Sequence, residues 1–447
     1  MNFNIFKLLK SAPPAERLTD PNLIDKTYKY WRIRTLYSMY IGYACFYFTR
    51  KSFTFVVPEM ISSLHFSKAE IGILGSAFYI TYGCSKFLSG MLSDRSNPRY
   101  FMAIGLIITG IVNICFGFSS SLFFLALFWI INGFFQGWGW PPCARLLTHW
   151  YHRSERGIWW GIWNTSHNVG GALIPIIVGV AVAVSGNWRA AMFVPGVIAI
   201  VLGLFLLNRL RDVPTAQGLP PIEEYKKSDV PEENVDKLPI FKILVRYVLK
   251  NRYIWLLAFS YTLVYIVRTA INDWGAVFLT EHGYSLMSAD SCMSFFEIGG
   301  FFGSLVAGWG SDKIFKGKRG PVNVLFSLGI VFSIWGFWAI PTQSFILHAF
   351  LVFIIGFLVF GPQMLIGMAA AELSHREAAG TATGFVGLFA YIGAAISGYP
   401  VGLITQHWGW IGFFIGIGIC AVLSVFLLLP LWSAVTHPNI AAVSNED

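Results

Sequence analysis

Two similar loops, GMLSDRSNPR at residues 90–99 and GWGSDKIFKGKR at residues 308–319, indicate that the chain contains an internal duplication. Asp94 and Arg95 of the first loop correspond to Asp312 and Lys313 of the second, 218 residues later. Arg50 and Arg268 are separated by the same 218 residues. Further pairs repeat at an offset of 223 residues, which a five-residue insertion explains. The sequence therefore predicts two halves built on one plan.

Apolar runs of about 20 residues recur along the whole chain, and each is long enough to cross a hydrocarbon core of about 30 Å as a helix. The chain has 447 residues, of which 55% are hydrophobic and 12% charged, a composition typical of membrane proteins. We predict an all-α membrane protein with twelve transmembrane helices in two pseudo-symmetric six-helix halves. The predicted helices are 36–58, 70–93, 100–120, 122–147, 157–185, 189–208, 253–279, 288–310, 321–341, 345–371, 379–405 and 409–432.

The basic residues are distributed unequally between the two sides of the predicted membrane. Of the 32 Lys and Arg residues, 26 lie on one side, and two, Lys68 and Arg189, lie on the other. The positive-inside rule therefore predicts an inner-membrane protein with both termini in the cytoplasm. This unequal distribution also accounts for the excess of basic residues, so we predict no nucleic-acid binding. The predicted segments are a cytoplasmic N-terminal segment (1–35), a first half (36–208), a proline-rich cytoplasmic linker (209–252), a second half (253–432) and a cytoplasmic tail (433–447).

Sequence features of secretion, catalysis and metal binding are absent. The first 35 residues lack a short apolar core followed by a cleavage site, so we predict no signal peptide. All six cysteines lie inside apolar runs, where packing is the expected role. Without a metal-ligand cluster, nucleophile elbow or P-loop, we predict no enzyme activity, no cofactor and no metal.

Four cations, Arg50, Lys51, Lys86 and Arg268, lie inside predicted membrane helices. Each would cost about 2.5 to 3.5 kcal/mol if it faced lipid, so they are expected to face water, ligand or counter-charges. Arg50 and Arg268 lie within about 5 Å of the predicted midplane, at equivalent positions of the two halves. This placement predicts one shared site with an arginine from each half. A buried ion-pair network without a ligand is the alternative.

The central charges favour an anionic ligand. Against the four cations stand two central acids, Asp273 and Glu297, which leaves a net charge of +2. A phosphate monoester carries about −1.5 to −2 at pH 7, and the forked guanidinium suits its oxygens. Lys51 and Asp273 share helices with the two arginines, and we predict that they pair with each other.

Several further polar side chains are expected near the cavity. The tyrosine hydroxyls could bind phosphate or sugar, although a packing role is nearly as plausible for each. These tyrosines are Tyr43, Tyr47, Tyr82, Tyr265 and Tyr391. His167 lies in GIWWGIWNTSHNVGGALIP (157–175), and helical periodicity alone favours a packing histidine there.

The duplicated loop resembles the signature between helices 2 and 3 of the major facilitator superfamily. Asp94 with Arg95, and Asp312 with Lys313, would then act as charge locks in gating, although an ordinary basic turn is the alternative. WNTSHNVGG, YGCSKFLSGMLSDRSNPR (82–99), FTRKSF (48–53) and VRTAINDW together resemble the organophosphate:phosphate antiporter family, over about residues 30–432.

The resemblance implies exchange of a phosphorylated organic substrate for inorganic phosphate by alternating access. It assigns phosphate binding to Arg50 and Arg268, phosphate or gating contacts to Lys86 and His167, and an ion pair to Lys51 and Asp273. It further implies polar roles for Asn164, Glu297 and the five tyrosines named above.

GWGWPPCARLLTHWY and FGPQMLIGMAAAELSHREAAGTATGFVGLFAY resemble the hexose-phosphate subgroup. This implies a hexose-phosphate antiporter in the lipid bilayer, with glucose 6-phosphate as the expected cargo. We also predict a monomer. The subgroup also contains a membrane receptor that senses glucose 6-phosphate and partners a histidine kinase. Some hexose-phosphate carriers have a charged pair in helix 11, whereas residues 378–405 contain no charged side chain. The sensor therefore stays an alternative to the carrier.

Overall fold

The computed structural model describes residues 10–93, 96–226, 244–340, 344–374 and 379–433, and most of them are helical. The first half of the chain contains helices α1 (Pro21–Lys51), α2 (Val57–Leu64), α3 (Lys68–Ser93), α4 (Pro98–Phe118), α5 (Leu122–Gln136), α6 (Trp140–Trp150), α7 (Arg153–Asn164), α8 (Ser166–Ser185) and α9 (Ala190–Arg209). The second half contains α10 (Arg252–Glu281), α11 (Leu286–Lys313), α12 (Arg319–Ala339), α13 (Phe345–Glu372), α14 (Ala379–Ile396) and α15 (Tyr399–Leu428).

The all-helical membrane prediction is confirmed. Within the described residues, nine stretches are long and apolar enough to cross a membrane, and one of them, Ala382–Leu431, contains the last two predicted passes. The first two predicted passes coincide with α1 and α3, whose basic and polar residues lower their mean hydropathy. Each of the twelve predicted passes therefore coincides with a helix or with two consecutive helices.

Helix ends differ from the sequence prediction where polar caps extend a helix beyond the apolar run. Helix α1 begins at Pro21, long before residue 36, because the Asp20 side chain accepts a hydrogen bond from the backbone N–H of Asn22. It ends at Lys51, and a 3₁₀ turn (Thr54–Val56) separates it from α2. Near the C-terminus, α15 is interrupted at Gly409, whose φ of 62° is accessible to glycine at little cost.

The chain forms two compact units, whose bounds differ from the predicted halves. Unit 1 comprises Met1–Phe53 and Thr81–Asn234, and unit 2 comprises Thr54–Ile80 and Val235–Asp447. Residues 54–80 belong to unit 2 because they bind its helices. Lys68 forms an ion pair of 3.0 Å with Glu281, and a Cβ placed at Gly72 would lie 2.6 Å from the carbonyl oxygen of Gly398.

Close helix packing inside each unit depends on glycine. In unit 1, a Cβ at Gly170 of α8 would lie 2.4 Å from the carbonyl oxygen of Ala44 in α1. In unit 2, a Cβ at Gly303 of α11 would lie 1.9 Å from the carbonyl oxygen of Phe357 in α13. Small residues of this kind let helix backbones approach each other inside membranes. These glycines let α8 pack closely against α1, and α11 against α13.

Candidate functional site

Arg50, the penultimate residue of α1, is held by neutral groups of unit 1. Its Nε donates a hydrogen bond to Oε1 of Gln136 (3.3 Å), and its Nη2 donates to the hydroxyl of Tyr82 (3.1 Å). The guanidinium carbon also lies 4.4 Å from the ring centre of Tyr47 and 4.5 Å from that of Tyr82. Aromatic faces attract cations most strongly where water is excluded, and Arg50 is only 8% exposed. These neutral partners therefore fix the direction of the guanidinium and do not themselves neutralise its positive charge.

Gln136, which the sequence analysis missed, belongs to a buried polar network that fixes its own orientation. Its Nε2 donates to Oγ1 of Thr49 (2.8 Å) and to Oδ1 of Asn132 (3.3 Å). Asn132 in turn donates to the backbone carbonyl of Thr49 (2.9 Å). Because Nε2 is used in these bonds, Oε1 is directed at Arg50. A glutamine inside the apolar run FFQGWGW was the one signal in the sequence that pointed to it.

Most of the other predicted residues of unit 1 form a continuous aromatic path from Arg50. The ring of Tyr47 lies 6.0 Å from Tyr43 and 5.7 Å from His167, between ring centres. Tyr43 packs against Trp163 at 5.0 Å. Nδ1 of His167 donates a hydrogen bond to the backbone carbonyl of Asn164. Asn164 therefore contacts this group of residues through its main chain.

Lys86 lies at the other end of this path. Its Nζ is 5.4 Å from the ring centre of Trp140. The ring centres of Trp140 and Trp163 are 6.3 Å apart. Trp140 was also missed by the sequence analysis. A tryptophan among many in a membrane protein gives no sequence signal of its own, because aromatic residues are common throughout such helices.

Unit 2 surrounds Arg268 of α10 with a similar set of rings. The guanidinium carbon lies 5.4 Å from the ring centre of Tyr265 and 4.9 Å from that of Phe360, a residue not predicted from the sequence. Tyr265 contacts Tyr391 at 6.1 Å. It also contacts Tyr261 at 4.8 Å. Both arginines of the duplicated pair therefore lie over aromatic faces in their own unit.

Asp273 and Glu297 both belong to unit 2. Asp273 accepts hydrogen bonds from the hydroxyls of Tyr79 (2.7 Å) and Thr54 (3.3 Å), two partners that the sequence analysis missed. Glu297 in α11 is 2% exposed. Lys51 is 5% exposed and belongs to unit 1. Its pairing with Asp273 stays a prediction.

The second signature loop contains a charge cluster centred on Arg319, the first residue of α12. Its Nη1 donates to Asp312 (2.5 Å), and its Nη2 donates to Glu372 at the end of α13 (2.9 Å). The sequence neighbour Lys313 ends helix α11. Asp94 and Arg95 lie outside the described residues. The predicted roles of these loops in gating stay predictions.

Each unit thus contains one arginine that lies over aromatic rings, and Arg50 is also hydrogen-bonded by Gln136 and Tyr82. Guanidinium groups bind phosphate oxygens through two parallel N–H···O bonds, which requires the planar fork to be held in a fixed direction. Among the described residues, no group of His, Cys, Asp and Glu side chains is arranged to hold a metal ion. The two arginines supply hydrogen-bond donors and positive charge at these positions.

Comparisons with known proteins agree on the family. The sequence profile described as "Major Facilitator Superfamily" matches residues 39–398. The "Probable hexose phosphate transport protein" of Chlamydia muridarum is 56% identical over 443 residues, which cover 96% of this chain and 97% of that protein. The "Membrane sensor protein UhpC" of Escherichia coli K12 is 55% identical over 432 residues, which cover 96% of this chain and 98% of that protein.

A solved structure gives the same fold. The bacterial homolog to the human lysosomal transporter Spinster, in its inward-facing and unoccupied conformation, matches with a TM-score of 0.73 at 17% identity and covers 90% of this chain and 95% of that one. At this identity the likeness concerns the fold alone. The profile match and the two relatives together show that this chain belongs to the major facilitator superfamily and, within it, to the organophosphate:phosphate antiporter family.

Proposed function

We propose that the chain is a secondary carrier that takes up a hexose phosphate, with glucose 6-phosphate as the expected substrate, in exchange for inorganic phosphate. The observation that carries this proposal is the environment of Arg50. Gln136 and Tyr82, which are neutral, hydrogen-bond its guanidinium and fix the direction of its planar fork. Arg268, over Tyr265 and Phe360, is the proposed partner from the second unit. The relatives named for hexose phosphate transport support the choice of cargo.

The proposed mechanism is alternating access controlled by charge. A site with a net positive charge resists closing into a low dielectric, since burying unbalanced charge is costly. A bound phosphate dianion lowers that cost and permits the crossing. Lys86 and His167 would contact the phosphate, whereas Asn164 and the tyrosines Tyr43, Tyr47, Tyr82, Tyr265 and Tyr391 would contact the rest of the substrate. Because an empty site crosses slowly, exchange is favoured over net leak.

Uptake by proteoliposomes tests this proposal. Vesicles preloaded with inorganic phosphate are expected to accumulate labelled glucose 6-phosphate, and unloaded vesicles are expected to take up little. Equal uptake in both preparations would reject obligatory exchange. Competition by a panel of unlabelled sugar phosphates, by glycerol 3-phosphate and by free glucose would then define the cargo. Inhibition by free glucose as strong as by its phosphate ester would contradict recognition through the phosphate.

The second candidate is a sensor of external glucose 6-phosphate that acts with a histidine kinase. The 55% identity with the "Membrane sensor protein UhpC" supports it, as does the absence of charged side chains from residues 378–405. A sensor needs the binding site but not rapid turnover. Substrate binding in detergent without counterflow in vesicles would favour the sensor. Rapid counterflow, together with no effect on kinase phosphorylation in co-expressing cells, would favour the carrier.

The orientation in the membrane and the assembly state are also proposed. The distribution of Lys and Arg supports cytoplasmic termini in the inner membrane, and we propose a monomer. An N-terminal tag should resist protease added to intact spheroplasts and be digested after lysis. Digestion of the tag before lysis would show that the N-terminus lies outside the cytoplasm and would contradict the proposed orientation.

A further inference from the structure

We propose that a groove in the surface of unit 1 binds an anionic phospholipid. The groove has a volume of about 490 Å³ and is formed by α1 together with residues 151–162, which include most of α7. Its lining is charged near Lys29, Arg32 and Glu155, and it becomes apolar along α1 from Ile33 through Tyr37 to Ile41. This volume is within the range of ligand pockets, about 300 to 1,000 Å³.

The charged end has the chemistry of a phosphodiester site. Nη2 of Arg32 forms an ion pair with Glu155 at 2.6 Å, and its guanidinium carbon lies 4.7 Å from the ring centre of Tyr151. Nε of Arg32 is buried and has no hydrogen-bond partner among the described residues, so the hydrogen-bonding capacity of the guanidinium is not fully used. Lys29 is exposed beside it. Two cations and one carboxylate leave a net charge of +1, which a singly charged phosphodiester would balance.

The apolar end opens onto a surface suited to acyl chains. Ile33 is 65% exposed, and the ring of Tyr37 lies 6.4 Å from that of Phe205 in α9. Val201 and Leu204, which flank this contact on α9, are also more than half exposed. Large apolar side chains with such exposure on a membrane-spanning helix face lipid, because lipid chains are as apolar as they are.

A second apolar stripe continues from the groove along α8. Ile162 of the groove is 43% exposed, and the exposed residues Val169, Leu173 and Ile176 follow it on the same helical face. Lys29 and Ile41 are about 18 Å apart along α1 at 1.5 Å per residue. The groove is therefore long enough for a headgroup and the first part of an acyl chain, with the stripe continuing beneath.

The combination of a charged end and an apolar end favours a phospholipid over other anions as the ligand of the groove. A sugar phosphate or free phosphate would satisfy the charged end but leave the apolar end uncovered. Basic pockets between transmembrane helices on the cytoplasmic side are a recognised setting for anionic headgroups. Assignment of the lipid to the cytoplasmic leaflet rests on the proposed orientation of the chain. The binding of the lipid does not depend on that orientation, and the groove is separate from the proposed transport site at Arg50.

Native mass spectrometry of the purified full chain tests the proposal with two probes of equal acyl composition, phosphatidylglycerol and phosphatidylcholine. The wild type is expected to retain phosphatidylglycerol preferentially. Lys29→Gln should reduce that preference about fivefold, since one basic residue near an anionic membrane surface is worth about 1 kcal/mol. The matched control is Lys26→Gln, which removes an exposed lysine of the same helix that does not line the groove.

Two outcomes would overturn the inference. Equal retention of the two lipids by the wild type would show that the groove does not recognise an anion. An equal loss of preference in Lys29→Gln and Lys26→Gln would show that general surface charge, and not the groove, attracts the lipid. Both lysines are exposed, so neither substitution is expected to disturb folding.

Discussion

Nη2 of Arg50 donates a hydrogen bond of 3.1 Å to the hydroxyl of Tyr82, and the ring of the same tyrosine lies 4.5 Å beneath the guanidinium carbon. One side chain thus fixes both the direction and the plane of the arginine. Because Gln136 binds Nε, the fork is held from a second side. A fixed plane is what bidentate phosphate binding requires.

Arg50→Lys is expected to abolish most exchange activity although the positive charge is kept. An ammonium group cannot reproduce the planar fork or its hydrogen bonds to Gln136 and Tyr82. The measurement is phosphate counterflow in proteoliposomes, with Arg34→Lys on the surface of unit 1 as the control. Unchanged exchange by Arg50→Lys would argue against direct phosphate contact by this residue.

Gln136→Glu is expected to lower phosphate affinity by tenfold or more with little change in side-chain volume. The new carboxylate would lie against Nε of Arg50, now 3.3 Å from Oε1 of Gln136, and would compete with the phosphate for the same charge. Phosphate binding should weaken while the protein stays folded. Asn113→Asp, in a buried hydrogen-bonded position of α4, controls for adding an acid to this unit. Equal affinity in Gln136→Glu and wild type would place the phosphate elsewhere.

Asp212→Asn is expected to destabilise unit 1 by about 3 kcal/mol or more, because it removes the carboxylate from a buried ion pair with Arg145. Asp212 is 2% exposed, binds Arg145 at 3.2 Å and accepts a bond from the backbone N–H of Ala12 at 2.9 Å. Glu224→Gln, which removes an exposed ion pair with Arg17, should cost less than about 1 kcal/mol. Denaturant unfolding in detergent measures both. Similar losses would mean that burial of the Asp212 pair has no energetic effect.

Gly303→Ala is expected to lower thermal stability strongly, whereas Gly310→Ala in the same helix should have little effect. A Cβ at residue 303 would lie 1.9 Å from the carbonyl oxygen of Phe357, so the backbones of α11 and α13 must separate. At residue 310, no atom of the described residues beyond its own stretch of helix lies within 4 Å of the added Cβ. Melting temperatures of the two variants in detergent give a matched comparison. Equal melting temperatures would show that α11 and α13 are packed less closely than described.

The ion pair between Arg32 and Glu155 makes the stability of the folded protein depend on pH. Burial raises the pKa of Glu155, but the hydrogen bond and charge of Arg32 outweigh it and lower the pKa below its usual value of 4.5. Its contribution to stability is therefore present above pH 4.5 and lost as the pH falls through the lower, folded-state pKa. Between pH 7 and pH 3, the wild type should lose more thermal stability than Glu155→Gln. An identical loss in both proteins would contradict this contribution.

Much of the fold was predictable from the sequence because membranes restrict the solutions. Apolar runs of about 20 residues must be helices, since backbone polar groups cannot remain unpaired in lipid. The predictions failed at helix ends such as Pro21, where an aspartate cap extends a helix into a polar segment. A polar cap does not change the apolar pattern.

The sequence by itself determined the number of passes and the duplication, and it singled out the two arginines as candidates, because a charge inside the membrane at equivalent positions of two repeats is costly. Only the tertiary structure decided which neutral groups hold those charges. Gln136 reaches Arg50 from 86 residues away, and Phe360 reaches Arg268 from another helix. Such partners depend on helix rotation and packing, which side-chain shape fixes in three dimensions and which hydropathy along the chain does not record.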